Sequence, residues 1–254
     1  MRKLKKISVF LIISGFILVT AAVLLQLFTP LGNKHPSFSS GSEAFGQVRE
    51  IVAVSGALPI TLNSSDSETC TVEWESGLPL IVSCDEYGTL RITEDDSFFM
   101  TLFSAKSKNS GIIITVPEKS YERIKLSSSS GDITCSDISC ETVDIYTRNG
   151  NISVYGPDSR SKIKSESGDI YLSVSPFEGD MAVNGGTGDI TMDIADFDFF
   201  MEFTTLEGSC TSYGFDNDIG GRKGDAALLS GKGGNTVKIN TTTGNFIINK
   251  AEDK

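Results

Sequence analysis

From Val48 onward, apolar and polar residues alternate with a period of two, and no long segment carries a 3.6-residue stripe. VREIVAVSG, LPITLNS, CTVEWES, PLIVSCD, TLRITED and GIIITVP, each bounded by turn residues, predict short strands. Residues 94–111 depart from the pattern. Their Phe98, Phe99, Met100, Leu102 and Phe103 are apolar without strict alternation. This stretch reads as a bulge, a short helix or a loop, with packing as the default because large exposed apolar patches are uncommon.

The second half of the chain repeats one turn: SGDI at 130, NGNI at 149, SGDI at 167, TGDI at 187, EGSC at 207 and TGNF at 243. The turn glycines are Gly131, Gly150, Gly168, Gly188, Gly208 and Gly244, spaced 19, 18, 20, 20 and 36 apart. The wide last interval suggests a degenerate unit, with Gly224-Asp225-Ala226 as its candidate turn. Seven and five residues before each glycine, and two and four after it, lie 24 positions, of which only Ser161 and Ser212 are polar. Apolar residues two apart on both sides of a turn mark two short strands with one face inward. Three before each glycine the residue is small: Ser128, Thr147, Ser165, Gly185, Thr205 and Thr241. One after it stand Asp132, Asn151, Asp169, Asp189, Ser209 and Asn245, expected to form a structural turn ladder. Glycine is expected to supply unusual turn dihedrals, and Asp or Asn local side-chain bonds. One such unit cannot bury its own apolar face and must stack on its neighbours. The prediction is an all-β, single-stranded β-solenoid of about 18–20-residue coils. A β-sandwich would not place the same residue class at each offset. Open solenoid ends need covering, and the strands near Ile51 and the C-terminal FIINK are the expected caps, or else the edges where partners add.

Charge and hydropathy change the picture at the N-terminus. Residues 7–28 are an uncharged, almost wholly apolar run of 22, preceded by Arg2, Lys3, Lys5 and Lys6. As a helix the run would span roughly 33 Å, enough for a bilayer core of about 30 Å. The basic tail 1–6 is then cytoplasmic and the rest extracytoplasmic. The run is longer than a usual signal h-region, and cleavage after Ala21 would leave the apolar AVLLQLF at the new terminus, so an uncleaved signal-anchor is expected over a cleaved signal. Residues 29–47, rich in Ser, Gly and Pro, read as a tether and contain the lone histidine, His35. The solenoid is assigned to 48–250. The chain's net charge is −11; without the four N-terminal cations, 18 Lys and Arg face 33 Asp and Glu, or −15. That balance argues against nucleic acid and anionic lipid as partners.

The cysteines are Cys70, Cys84, Cys135, Cys140 and Cys210, without zinc-ligand spacing. Folding 69–85 as a hairpin about Gly77 opposes Cys70 to Cys84, Val72 to Val82 and Trp74 to Leu80. This makes Cys70–Cys84 the candidate disulfide, with buried reduced thiols as the alternative. Stacked carboxylates in the turn ladder could hold calcium, but turn formation explains them without it. GGTGDI at 185–190 has its Asp one place early for a calcium-binding nonapeptide. No cofactor is expected, and Ser–His–Asp or Cys–His catalysis lacks a histidine outside the tether. Carbohydrate-active β-helix enzymes remain an alternative, with Asp193, Asp196 and Asp198 as the acidic candidates.

IIITVP at 112–117, IKLSSSSGDI at 124–133, the repeated SGDI and TGDI turns and GGNTVKINTTTGNFII at 233–248 together resemble the bacterial putative-adhesin family of domains of unknown function, which includes LiaG-like membrane-anchored envelope proteins. The resemblance covers Val48 to Asn249. It implies a β-solenoid at the cell envelope, of a Gram-positive bacterium given the direct anchor, and supplies no catalytic residues. The expected function is a non-catalytic binding or scaffold module, engaging a surface glycan or another envelope protein. The alternative within the envelope is an accessory role in stress sensing through a membrane partner.

Overall fold

The computed structural model describes residues 39–77, 79–94, 110–156, 158–174, 179–195 and 198–251. The apolar run 7–28, most of the irregular stretch 94–111, and Asp196 lie outside the described residues. The strands in chain order are β1 (Ser39–Phe45), β2 (Glu50–Ser55), β3 (Ile60–Ser65), β4 (Cys70–Ser76), β5 (Leu80–Cys84), β6 (Thr89–Glu94), β7 (Gly111–Pro117), β8 (Tyr121–Ser128), β9 (Ile133–Ser136), β10 (Ser139–Thr147) and β11 (Ile152–Tyr155). They continue with β12 (Asp158–Ser165), β13 (Ile170–Val174), β14 (Met181–Gly185), β15 (Ile190–Ile194), β16 (Phe199–Thr205), β17 (Ser209–Tyr213), β18 (Arg222–Lys223), β19 (Ala226–Ser230), β20 (Asn235–Thr241) and β21 (Phe246–Lys250). No helix occurs among the described residues.

Two sheets enclose one core. Sheet A has eleven strands in the order β1-β4-β7-β3-β9-β11-β13-β15-β21-β17-β18, and sheet B has ten, β19-β16-β20-β14-β12-β10-β8-β2-β6-β5. Each coil gives one strand to sheet B, passes through its turn, and gives the next to sheet A, so neighbouring coils pair in parallel. The fold is β-solenoid-like. Its register follows the glycine offsets: Ile124, Val143, Ser161, Met181 and Val237 are successive partners in sheet B, and Ile133, Ile152, Ile170, Ile190 and Phe246 in sheet A. All 24 inward positions, Ser161 and Ser212 included, are at most 3% exposed. A period of two leaves a strand only one way to bury its apolar set.

The stacking order differs from chain order at both ends. The coil β20/β21 lies between β14/β15 and β16/β17, so the last coil in sequence is inserted inside the stack. The 36-residue interval therefore holds no degenerate coil. It holds β18 and β19, which run antiparallel along β17 and β16 and close the edges. Correspondingly, β2/β3 lies inside, between β6/β7 and β8/β9. The strands near Ile51 and FIINK are thus interior, and the ends are covered by β1, β4 and β5 on one side and β18 and β19 on the other. An antiparallel strand ends a parallel stack because its chain turns back rather than presenting another coil. The second half of the expected tether is one of these covering strands, β1, paired along its length with β4.

The hairpin about Gly77 does not form. β4 pairs with β1 and β7 in sheet A, whereas β5 pairs with β6 in sheet B. Trp74 faces Gly41 and Ile112, and Cys70 faces Phe45, instead of Leu80 and Cys84. The hairpin opposition that suggested a Cys70–Cys84 bridge is therefore absent, although Cys84 still lies near enough to Cys70 to add to the rise of its thiol pKa; all five cysteines are free thiols in this structure. Burial pushes the thiols of Cys70 and Cys210 up to about 11 and that of Cys135 to about 12. Only the thiolate attacks an alkylating reagent. Native protein at pH 8 is expected to be alkylated at Cys84 alone, the cysteine that is not buried, and at all five cysteines once unfolded without reductant. Recovery of three thiols on unfolding would show a bridge.

Candidate functional site

The turn ladder is a continuous column. Oδ1 of Asp132 accepts the Asn151 backbone N–H at 2.7 Å, Oδ1 of Asn151 accepts that of Asp169 at 2.9 Å, and Oδ1 of Asp169 accepts that of Asp189 at 2.9 Å. The column then follows the stacking order: Asp189 Oδ1 accepts the Asn245 N–H at 2.8 Å, and Asn245 Oδ1 accepts the Ser209 N–H at 3.2 Å and its hydroxyl at 2.8 Å. The expected side-chain bonds exist, but each runs to the next coil rather than within its own turn. Each Oδ1 thus holds the neighbouring turn, and among the described residues no group of three or more His, Cys, Asp and Glu side chains is arranged to hold a metal ion. A second, buried column is formed by the small residues before the turn. Thr147 Oγ1 accepts the Gly150 N–H at 3.0 Å and donates to the Gly131 carbonyl at 3.3 Å. Ser165 does the same with the Gly168 N–H at 2.9 Å and the Gly150 carbonyl at 3.1 Å.

Glycine has a different role from the one expected. None of the six turn glycines has a positive φ. A Cβ on Gly150 would overlap the Gly131 carbonyl, one on Gly168 the Gly150 carbonyl, and one on Gly208 the Gly244 carbonyl. Glycine permits close stacking of turns, not an unusual turn conformation.

With the core apolar and both turn columns engaged, side chains free to meet a ligand lie on the outer faces. On sheet A, Tyr155 and Tyr171 occupy neighbouring coils with ring centroids 5.6 Å apart and planes tilted by 53°. The Tyr171 hydroxyl donates to Asp193 Oδ2 at 2.6 Å, and Asn249 Nδ2 donates to Asp193 Oδ1 at 2.7 Å. The hydrogen bond to this carboxylate is the main cause that pushes the Tyr171 phenol up to about 12, holding it neutral as a donor. Ser153, Ser173, Thr191, Thr211 and the exposed Tyr213 complete the row of outward hydroxyls. Asp193, an acidic catalytic candidate, is thus a member of a surface hydrogen-bond network. Asp198 precedes β16 in sheet B, and its Oδ1 accepts the Lys232 N–H at 3.2 Å. The glycine register already places Tyr155, Asp193, Tyr213 and Asn249 at one outward offset, five after the turn. It does not bring Asp193 to Asn249, because their coils are neighbours only through the insertion.

Among solved structures, a putative cell adhesion protein from Clostridium sporogenes ATCC 15579 is 16% identical, with 84% of this chain and 100% of that chain covered and a TM-score of 0.47. A putative adhesin from Bacteroides fragilis NCTC 9343 is 13% identical, with 85% and 99% covered and a TM-score of 0.36. A putative lipid binding protein from Parabacteroides distasonis ATCC 8503 is 13% identical, with 84% and 97% covered and a TM-score of 0.36. Comparison with curated proteins yields no match. The Toastrack DUF4097 model matches residues 48–156 and again 120–249, which together span most of the sequence and all of the repeated coils, and the chain belongs to that family.

Proposed function

We propose that this protein is a single-pass envelope protein, held by residues 7–28, whose solenoid lies outside the membrane and acts as a non-catalytic binding module. The outer face of sheet A is its contact surface for a surface glycan. The topology is supported by the charge step from four N-terminal cations to an uncharged run of 22 residues. The carrying observation is the Tyr155–Tyr171 pair beside the Asp193–Asn249 network, surrounded by hydroxyls. Tyrosine offers rigid amphipathic area at small entropic cost, and Ser, Thr and Asn offer adaptable hydrogen bonds, a composition suited to recognition of polar, uncharged ligands. A flat face with its carboxylate already bonded offers no general acid or base poised over a substrate.

The test uses the full chain in nanodiscs on an array of uncharged bacterial glycans. Retention is expected, and Tyr155→Ala with Tyr171→Ala should weaken it at least tenfold. Retention indifferent to both substitutions would remove the glycan site from sheet A. Glycan cleavage lost in Asp193→Asn would establish an enzyme instead. A stable complex with a membrane protein, without glycan retention, would favour the stress-sensing accessory.

A further inference from the structure

Sheet B carries a feature that neither the net charge nor the chain order discloses. Six residues before the turn glycine, the outward position is Lys125 in β8, Lys162 in β12 and Lys238 in β20. Arg91 in β6 stands at the equivalent register, and all four are exposed. The strand pairings put these cations in one row across the sheet, on every second strand. The intervening positions are Val52, Asp144 and Ala182. At a strand spacing of about 4.8 Å the positive charges repeat about every 9.6 Å. Beside Lys125 and Lys162, two residues back on the same strands, Arg123 and Arg160 add positive charge, Arg123 standing opposite Glu50 of β2. Lys125, Lys162 and Lys238 make no ion pair with the described residues. Beside Ala182 lies a shallow cavity of about 300 Å³ lined by three cations, Arg160, Lys162 and Lys238, and by one carboxylate, Asp180, whose Oδ1 accepts the Thr236 N–H at 3.1 Å.

We propose that the outer face of sheet B binds a linear anionic polymer laid across the strands, of the class in which phosphodiesters are separated by an uncharged polyol or sugar unit. Charge complementarity identifies the ligand as anionic, and the row identifies it as repeating. The interval selects among polyanions. Asp144 lies between Lys125 and Lys162, so a chain with an anion on every strand would set one against this carboxylate. A DNA duplex, which presents a phosphate of each strand about every 3.4 Å along its axis, would set further anions between successive cations, one of them against Asp144. Guanidinium groups at Arg123 and Arg160 supply planar donors suited to phosphate oxygens. The binding itself does not depend on the sheet A reading; only the place where the polymer is met rests on the solenoid facing outward.

The probe is end-labelled poly(ribitol phosphate), titrated by fluorescence anisotropy against the purified full chain in detergent at about 150 mM salt, near physiological ionic strength. Binding is expected, weakening as salt rises. Lys125→Glu with Lys162→Glu should weaken it at least tenfold, and Asp144→Asn should strengthen it about threefold. Lys223→Glu, which lies in β18 off this face, should leave it unchanged. No binding, an equal loss in Lys223→Glu, or equal competition by single-stranded DNA or inorganic polyphosphate would overturn the proposal. These outcomes leave the membrane topology untouched. That reading fails separately, if protease added to intact cells leaves the solenoid uncut while cutting it after lysis.

Discussion

A chain ending at Lys232 is expected to lose two coils rather than one. Truncation there removes β20 and β21, which lie inside the stack. β16 then keeps only β19 as a neighbour, and β17 keeps only β18, both antiparallel covering strands. Val237, Ile239, Phe246 and Ile248 are all at most 1% exposed, and Phe246 stacks on Phe203 of β16 with centroids 5.6 Å apart. At about 1.5–3 kcal/mol for each buried apolar side chain, their loss approaches the whole stability of an ordinary domain, about 5–15 kcal/mol. Hydrogen exchange should show residues 199–230 unprotected, while 121–174 remain protected. In a solenoid stacked in chain order the same truncation would only shorten the end. Protection retained over 199–213 would mean that β16 and β17 dock directly on β14 and β15, and that the observed layer order has no energetic preference.

Replacing Gly168 by alanine should destabilise the domain by about 3 kcal/mol, read as a lowered midpoint in guanidinium unfolding. The added methyl would overlap the Gly150 carbonyl, and the Gly168 carbonyl is in turn what a Cβ on Gly188 would meet. The coils cannot part locally to make room, because hydrogen bonds on both sides of the turn hold the strands at about 4.8 Å. Gly220, where an added methyl would meet nothing within 4 Å, is the matched control, and its alanine variant should stay within about 0.5 kcal/mol. Equal stability of the two variants would show that the turns are not held in contact. Because φ at Gly168 is not positive, asparagine, which tolerates the left-handed conformation better than alanine, should not rescue this position.

The sequence was most informative where structure is local. The offsets from each glycine identified the inward residues of six coils, because a strand alternates faces and a turn of fixed length resets the phase. They also placed Asp132 and its counterparts in a ladder. Two further coils, β2/β3 and β6/β7, bury Ile51, Ile60, Leu90 and Ile112 in the same way. They escaped the repeat because their connections lack its turn: SGALP follows β2, and a long insertion separates β6 from β7. The Cys70–Cys84 hairpin failed for a related reason. Two alternating runs beside a glycine fit a hairpin and a change of sheet equally well, and only pairing partners elsewhere in the chain, β1, β6 and β7, distinguish them.

What the sequence determined by itself was the coil: its two strands, its inward faces, its stacked polar turn and its all-β character. These follow from side-chain alternation and turn chemistry within about 20 residues. Which coil lies on which was decided only by the tertiary structure. Parallel strands of one repeat present nearly equivalent hydrogen-bonding edges, so chain order alone does not select a neighbour. The antiparallel covers β18 and β19 close one end and send the last coil back into the stack. That insertion joins Asp193 to Asn249 on one face and places Lys238 in the cation row on the other, so both proposed surfaces depend on contacts that no spacing in the sequence encodes.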